Sequence, residues 1–190
     1  LIETVTGYDY TTGLILFCLI VIIYTAFGGF RTVAITDAIQ GVVMIIAAVC
    51  LFLKLYQVGG GMGNIVKNIA EINPDLLRPD SGGNLPIPYL LSFWVLVGVA
   101  ILGLPQTTVR CMGFKDSKSM HNAMFIGTLV VGFLMIVTHM IGFMSIPLMP
   151  GAEVGDKLIL MVSLKYLNPI LVGIFIGGPL AAIMSTIDTM

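Results

Sequence analysis

The sequence predicts an all-α integral membrane protein, and three observations carry that prediction. Of the 190 residues, 57% are hydrophobic and only 10% charged, whereas a soluble domain carries about 25% charged residues because its surface faces water. The apolar residues gather into uninterrupted runs of about the length that crosses a bilayer. None of these runs shows the apolar–polar alternation of a membrane strand, which argues against a β-barrel. The net charge of −1 supplies no basic field for nucleic acid.

A helix needs about 20 mostly apolar residues to cross the hydrocarbon core, and five stretches meet that demand. The first, about 13–30, holds no charge and ends in Gly28-Gly29-Phe30-Arg31, read as a very short turn. The second, about 32–56, carries one acid, Asp37, near its start. The third covers about 87–109, the fourth 122–148, and the fifth 168–190. The connections differ in kind. Residues 58–86 form a long polar loop opening with Gly59-Gly60-Gly61. In it, Ile65, Val66, Ile69 and Ile72 recur at helical spacing against Lys67, Asn68 and Glu71, which predicts a short amphipathic helix lying on the membrane surface. Residues 110–121 form a short basic loop and 149–166 a mixed one. The basic residues beside the short loops favour placing Arg31 and Arg110 in the cytoplasm. The chain starts at Leu1 without a basic leader and reaches Met190 inside an apolar stretch. We therefore expect an internal piece of a longer protein, with no signal peptide.

Four features stand out against this background. Asp37 is an ionisable group just inside a span, where such residues face a cavity or a partner; the alternative is a first-turn acid held by the helix dipole. Gly98, Gly103 and Pro105 weaken one helix late in its course. Transporters place substrate sites at such interruptions, although glycine and proline also serve plain kinks and close packing. Ser185 and Thr186 are adjacent hydroxyls one turn after Ala182. They offer hard oxygens to a cation, or else each bonds the carbonyl four residues back in its own helix. His139, beside Thr138, has no visible relay partner and reads as an interface residue.

The three cysteines, Cys18, Cys50 and Cys111, form no C-x-x-C pair and read as small buried hydrophobes. There is no G-x-x-x-x-G-K-[ST] loop, no H-E-x-x-H and no nucleophile with its base. Nothing in the sequence points to an enzyme, an organic cofactor or a transition-metal centre.

Taken in order, the motifs resemble the sodium:solute symporter family. The segments that carry the resemblance are Tyr24-Thr25-Ala26-Phe27-Gly28-Gly29-Phe30-Arg31, Asp37-Ala38-Ile39-Gln40-Gly41 and Ser92-Phe93-Trp94-Val95-Leu96-Val97. They continue with Gly103-Leu104-Pro105-Gln106-Thr107-Thr108-Val109-Arg110-Cys111, Lys115-Asp116-Ser117-Lys118 and Ala181-Ala182-Ile183-Met184-Ser185-Thr186. The resemblance implies a LeuT-type inverted-repeat fold, with the five spans as core helices four to eight and the 58–86 loop joining the repeats outside the cell. It implies sodium as coupling ion, a multi-pass place in the cytoplasmic membrane, and import of a small carboxylate such as pantothenate by alternating access. Proline or another small organic solute, and a solute-sensing membrane domain of the same fold, are the alternatives. By resemblance, Ala182, Ser185 and Thr186 match half of the sodium site, whose other half lies on core helix one, and Asp37 matches an acid on the ion's exit path. Trp94, Ile101 and Gln106 fall where substrate contacts are expected. Asp188 departs from the family pattern, which has an amide or small polar residue there.

Overall fold

The computed structural model describes residues 7, 9–100, 103–151, 155 and 158–187. Every regular element among them is helical, and no strand occurs among the described residues. The chain divides into two compact units, residues 1–55 with 151–190, and residues 56–150.

In the first unit, helix α1 (Tyr10–Gly29) is followed directly by α2 (Arg31–Val58). The Asp9 carboxylate accepts the Thr11 N–H at 3.1 Å, satisfying one of the amides that a helix start leaves unpaired. The helical path breaks at one residue, Gly29, with φ 62° and ψ −179°. That combination is essentially closed to residues bearing a Cβ. The four-residue turn read from Gly28 to Arg31 is therefore a single-residue break, and Arg31 is already helical. The core of this unit draws Ala47, Ala48, Leu51 and Leu55 from α2. Helices α7 (Leu158–Tyr166) and α8 (Pro169–Ile187) pack against each other and add Leu160, Val162, Val172, Phe175 and Ala181. Asn168 starts α8: its side-chain oxygen accepts the Leu171 N–H at 2.8 Å, and Pro169 follows with a φ already set for a helix. The mixed loop expected over 149–166 thus contains a helix, α7, too short to announce itself by periodicity.

In the second unit, α3 (Met62–Ile72) leads into 3-10 turns at Pro74–Leu77 and Ser81–Gly83, then α4 (Ile87–Ala100), α5 (Pro105–Met112) and α6 (Ser117–Leu148). The chain enters α3 through Gly60 and Gly61, at φ 70° and 90°, a region open to glycine. The amphipathic helix forms as the spacing predicts. Ile65 and Ile69 are fully buried and α3 packs on α6, whose buried Val137, Ile141, Met144 and Ser145 all lie in its C-terminal half. Of the apolar stripe, Ile65 and Ile69 are covered by protein and Ile72 is 54% exposed. Burying two isoleucine side chains contributes about 1.5–3 kcal/mol each, which favours this arrangement over an exposed stripe.

The expected helix over 87–109 is two helices. Helix α4 is described as far as Ala100 and α5 begins at Pro105; the break between them includes the non-helical Leu104, in the stretch that Gly98, Gly103 and Pro105 mark as weak backbone. Helix α6 begins before residue 122 because the Asp116 carboxylate accepts the Ser119 N–H at 2.7 Å, a side-chain cap that starts the helix at Ser117. Hydrogen bonds from the Ser119 amide and hydroxyl, with help from the Lys118 amide, hold the Asp116 carboxyl below its ordinary 3.8 against the opposing effect of desolvation. Among the described residues three helices, α1, α2 and α6, are long and apolar enough to cross a membrane, and α4 and α8 are shorter apolar helices.

Candidate functional site

The site residues on α2 and α8 share one unit, and a seam between the two helices sets their register. A Cβ placed on Gly178 would stand 3.6 Å from the Ala47 Cβ and 3.7 Å from the Met44 Cα. One on Gly177 would stand 4.0 Å from Val43 Cγ1. Further along, the Gln40 Nε2 lies 4.0 Å from the Met184 sulfur. Positions 40, 43, 44 and 47 form one face of a helix. The partner's number rises from 178 to 184 as the α2 number falls from 47 to 40, so the two helices run antiparallel along the seam.

Asp37 extends that same face, one turn beyond Gln40. At 1.5 Å rise per residue, the register carries it level with Thr186 and Ile187, the last described turn of α8. Asp37 is half-buried, and its Oδ1 is fully shielded from water. A carboxylate in such surroundings favours a nearby cation.

On α8, the Thr186 hydroxyl donates to the Ala182 carbonyl at 2.9 Å. This is the back-bond that sequence spacing offered as the alternative to cation binding. The two readings are compatible, because the donated proton leaves the lone pairs of Oγ1, and one lone pair of the carbonyl, available to an ion. Two hard oxygens thus sit on one turn. Gly177, Gly178 and Met184 face α2, so the exposed Thr186, two residues past Met184, lies on the other side of α8, and Asp37 shares its level along the axis but not its face. Ser185 lies in the same helical turn, and its side chain is outside what the structure describes. Asp188 and Ile101 lie outside the described residues.

The residues expected to touch substrate belong to the other unit. Trp94 stands on α4, 76% exposed, and none of the described residues of α4 is buried. Gln106 falls in the first turn of α5, with its side chain outside the described set. Trp94 and Gln106 are therefore on separate helices across the α4–α5 interruption. His139 turns back on its own helix, with Nδ1 2.6 Å from the Met135 carbonyl oxygen. Beside it Thr138 donates to Leu134 at 2.9 Å. Among the described residues no cluster of three His, Cys, Asp or Glu could hold a metal ion.

Gln40, within the Asp37-to-Gly41 segment, is a further member of this seam. Its Oε1 is shielded from water and accepts no hydrogen bond from the protein. The signal that could have singled it out is the 37, 40, 44, 47 face. Three of these four residues are polar or small, the composition of a packed helix seam in a membrane.

The description "Sodium:solute symporter family" matches residues 1–190. The chain is 45% identical to the sodium/pantothenate symporter of Haemophilus influenzae over 99% of its own length and 39% of that protein. It is 42% identical to the sodium/pantothenate symporter of Escherichia coli, again over 99% of its length and 39% of that protein. The osmoregulated proline transporter OpuE of Bacillus subtilis is 33% identical, over all of this chain and 39% of the transporter. The chain thus spans about two fifths of the length of the curated relatives it matches. No solved structure gives a significant match.

Proposed function

This chain belongs to the sodium:solute symporter family, and from that premise we propose that the protein carrying it imports pantothenate together with sodium. The observation that carries the substrate is the gap between 45% identity to a sodium/pantothenate symporter and 33% to a proline transporter, each over nearly the whole chain. In this reading the chain contributes core helices four to eight of a LeuT-type fold in the cytoplasmic membrane. Its five spans are α1, α2, the α4–α5 pair, α6 and α8, and residues 58–86 face outside.

Ala182, Ser185 and Thr186 supply oxygens to the sodium ion, and a further helix completes the shell. Asp37, level with Thr186 by register, offers the ion a carboxylate as it leaves toward the cytoplasm. Trp94, Ile101 and Gln106 meet the substrate beside the interrupted helix, the kind of place where transporters bind their solute. Each sodium entering down a potential of 100 mV releases about 2.3 kcal/mol, enough to accumulate a dilute solute against its gradient.

The test is labelled pantothenate uptake by the full-length protein in vesicles, with and without a sodium gradient. Wild type is compared with the Ser185→Ala/Thr186→Ala double variant. Gradient-driven uptake abolished by the double variant is the expected result. Sodium-driven uptake of proline in place of pantothenate would retain the mechanism and overturn the substrate. Uptake indifferent to sodium would overturn symport itself.

A further inference from the structure

We propose that Gln40 is a second oxygen ligand beside Asp37, making the α2 side of the seam a separate binding point for a monovalent alkali cation. The inference rests on the symporter reading for the identity of the ion and on two shielded oxygens for its place.

Asp37 and Gln40 stand three residues apart on one helix, where side chains are neighbours with Cβ atoms about 5–6 Å apart. The Asp37 Oδ1 and the Gln40 Oε1 are both shielded from water, and the Gln40 oxygen receives no hydrogen bond from the protein. A buried acceptor that no protein donor reaches is ordinarily met by an ordered water or an ion. The neighbours explain why no donor reaches it. The Gln40 Nε2 lies 4.0 Å from the Met184 sulfur, and a thioether has no hydrogen to give. The Thr36 hydroxyl, one residue before Asp37, already directs its one hydrogen to the Val33 and Thr32 carbonyls, at 2.8 and 3.1 Å.

The chemistry of the pair selects the ligand. Both atoms are hard oxygens, the kind that hard cations take. One carboxylate and one neutral amide oxygen balance a single positive charge. A divalent ion would keep an uncompensated charge away from water, which is costly. In such surroundings a carboxylate attracts a cation more strongly than in bulk water. Two protein oxygens make a weak transit point rather than a closed cage. Asp37 and Gln40 lie about 9 and 14 Å along the helix axis from Arg31, where α2 starts. Because Thr186 lies on the other side of α8 from the seam, this point is distinct from the Ala182 and Thr186 oxygens.

The experiment uses the full-length protein in detergent and reads the rise in unfolding midpoint when sodium replaces choline at equal ionic strength. That difference is the quantity compared, because the midpoint in choline carries the packing effect of each substitution. With the α8 hydroxyls removed by Ser185→Ala/Thr186→Ala, sodium should still raise the midpoint, at higher concentration than in wild type. Adding Gln40→Met should abolish that rise, whereas adding Gln40→Glu, which keeps an oxygen, should retain it. A rise that survives Gln40→Met unchanged, or no rise in the double variant, overturns the proposal. A second measurement uses vesicles and leaves Ser185 and Thr186 intact. There Gln40→Met should raise the internal sodium needed to halve uptake about tenfold, the worth of one bond to a charged group, with the substrate KM at saturating external sodium nearly unchanged. Unchanged sensitivity to internal sodium overturns the proposal. If uptake ignores sodium while Gln40→Met still removes the sodium-specific rise, the symport reading falls and the cation point on α2 stands.

Discussion

Gln40 and Met184 stand 144 residues apart in the chain, yet the amide nitrogen of one lies 4.0 Å from the sulfur of the other. The contact closes the α2–α8 seam next to the candidate cation oxygens. A thioether is a weak acceptor, and the Gln40 Oε1 is buried with no hydrogen bond from the protein. A buried polar group left in that condition costs about 1–3 kcal/mol. Gln40→Met, of similar length and apolar, should therefore leave the thermal unfolding midpoint in detergent unchanged or raise it. A clear fall would show that the amide makes a bond that stabilises the seam.

The break between α1 and α2 rests on one residue. Gly29→Ala places a Cβ where φ is 62° and ψ −179°, and should cost about 1–3 kcal/mol. Gly63, inside α3 with nothing within 4 Å of its would-be Cβ, is the comparison. There alanine should be neutral or stabilising by about 0.5–1 kcal/mol. Opposite signs in thermal unfolding check the pair, and equal effects would deny Gly29 its special conformation.

Helix α3 is held by its two buried isoleucines. Ile69→Ala should cost about 2–5 kcal/mol and raise amide exchange through Met62–Ile72. Ile72→Ala, at a residue 54% exposed, should do little. If both substitutions act alike, α3 lies on a surface rather than against α6.

Asp116 gives a pH dependence whose sign follows from its capping bonds. Its carboxyl is held below 3.8, chiefly by the Ser119 N–H, so the ionised form is favoured in the folded state. The cap is fully present above the ordinary value of 3.8, and its contribution is lost as pH falls through the lower folded-state value. The protection factor of the Ser119 amide should hold steady from neutral pH to about 4 and drop in stronger acid. Asp116→Ala should remove that protection at every pH.

Several elements were legible in the residues themselves. An uncharged run ending in Gly28-Gly29 announced α1 and its end, and the isoleucine spacing announced α3. The Gly98–Pro105 stretch marked where one expected helix becomes α4 and α5. The back-bond from Thr186 to Ala182 was also foreseen, because it is local and needs only four residues of helix. Helix α7 was missed, since a nine-residue, mostly apolar segment within a loop carries no periodicity of its own until Leu160 and Val162 find a partner.

What the sequence by itself determined is the class of the protein and the local chemistry of its helices. The scarcity of charge selects lipid as solvent, and hydroxyls and glycines at fixed spacing decide caps, breaks and back-bonds within a few residues. Only the tertiary structure decided which faces meet. It laid Ile65 and Ile69 of α3 against α6, and it ran α2 antiparallel to α8, with Gly177, Gly178 and Met184 turned toward α2. The physical reason is that apolar surface has no address. An isoleucine gains as much free energy from one apolar neighbour as from another, so the choice among them falls to the fit of particular side chains, such as Gly178 against Met44 and Ala47.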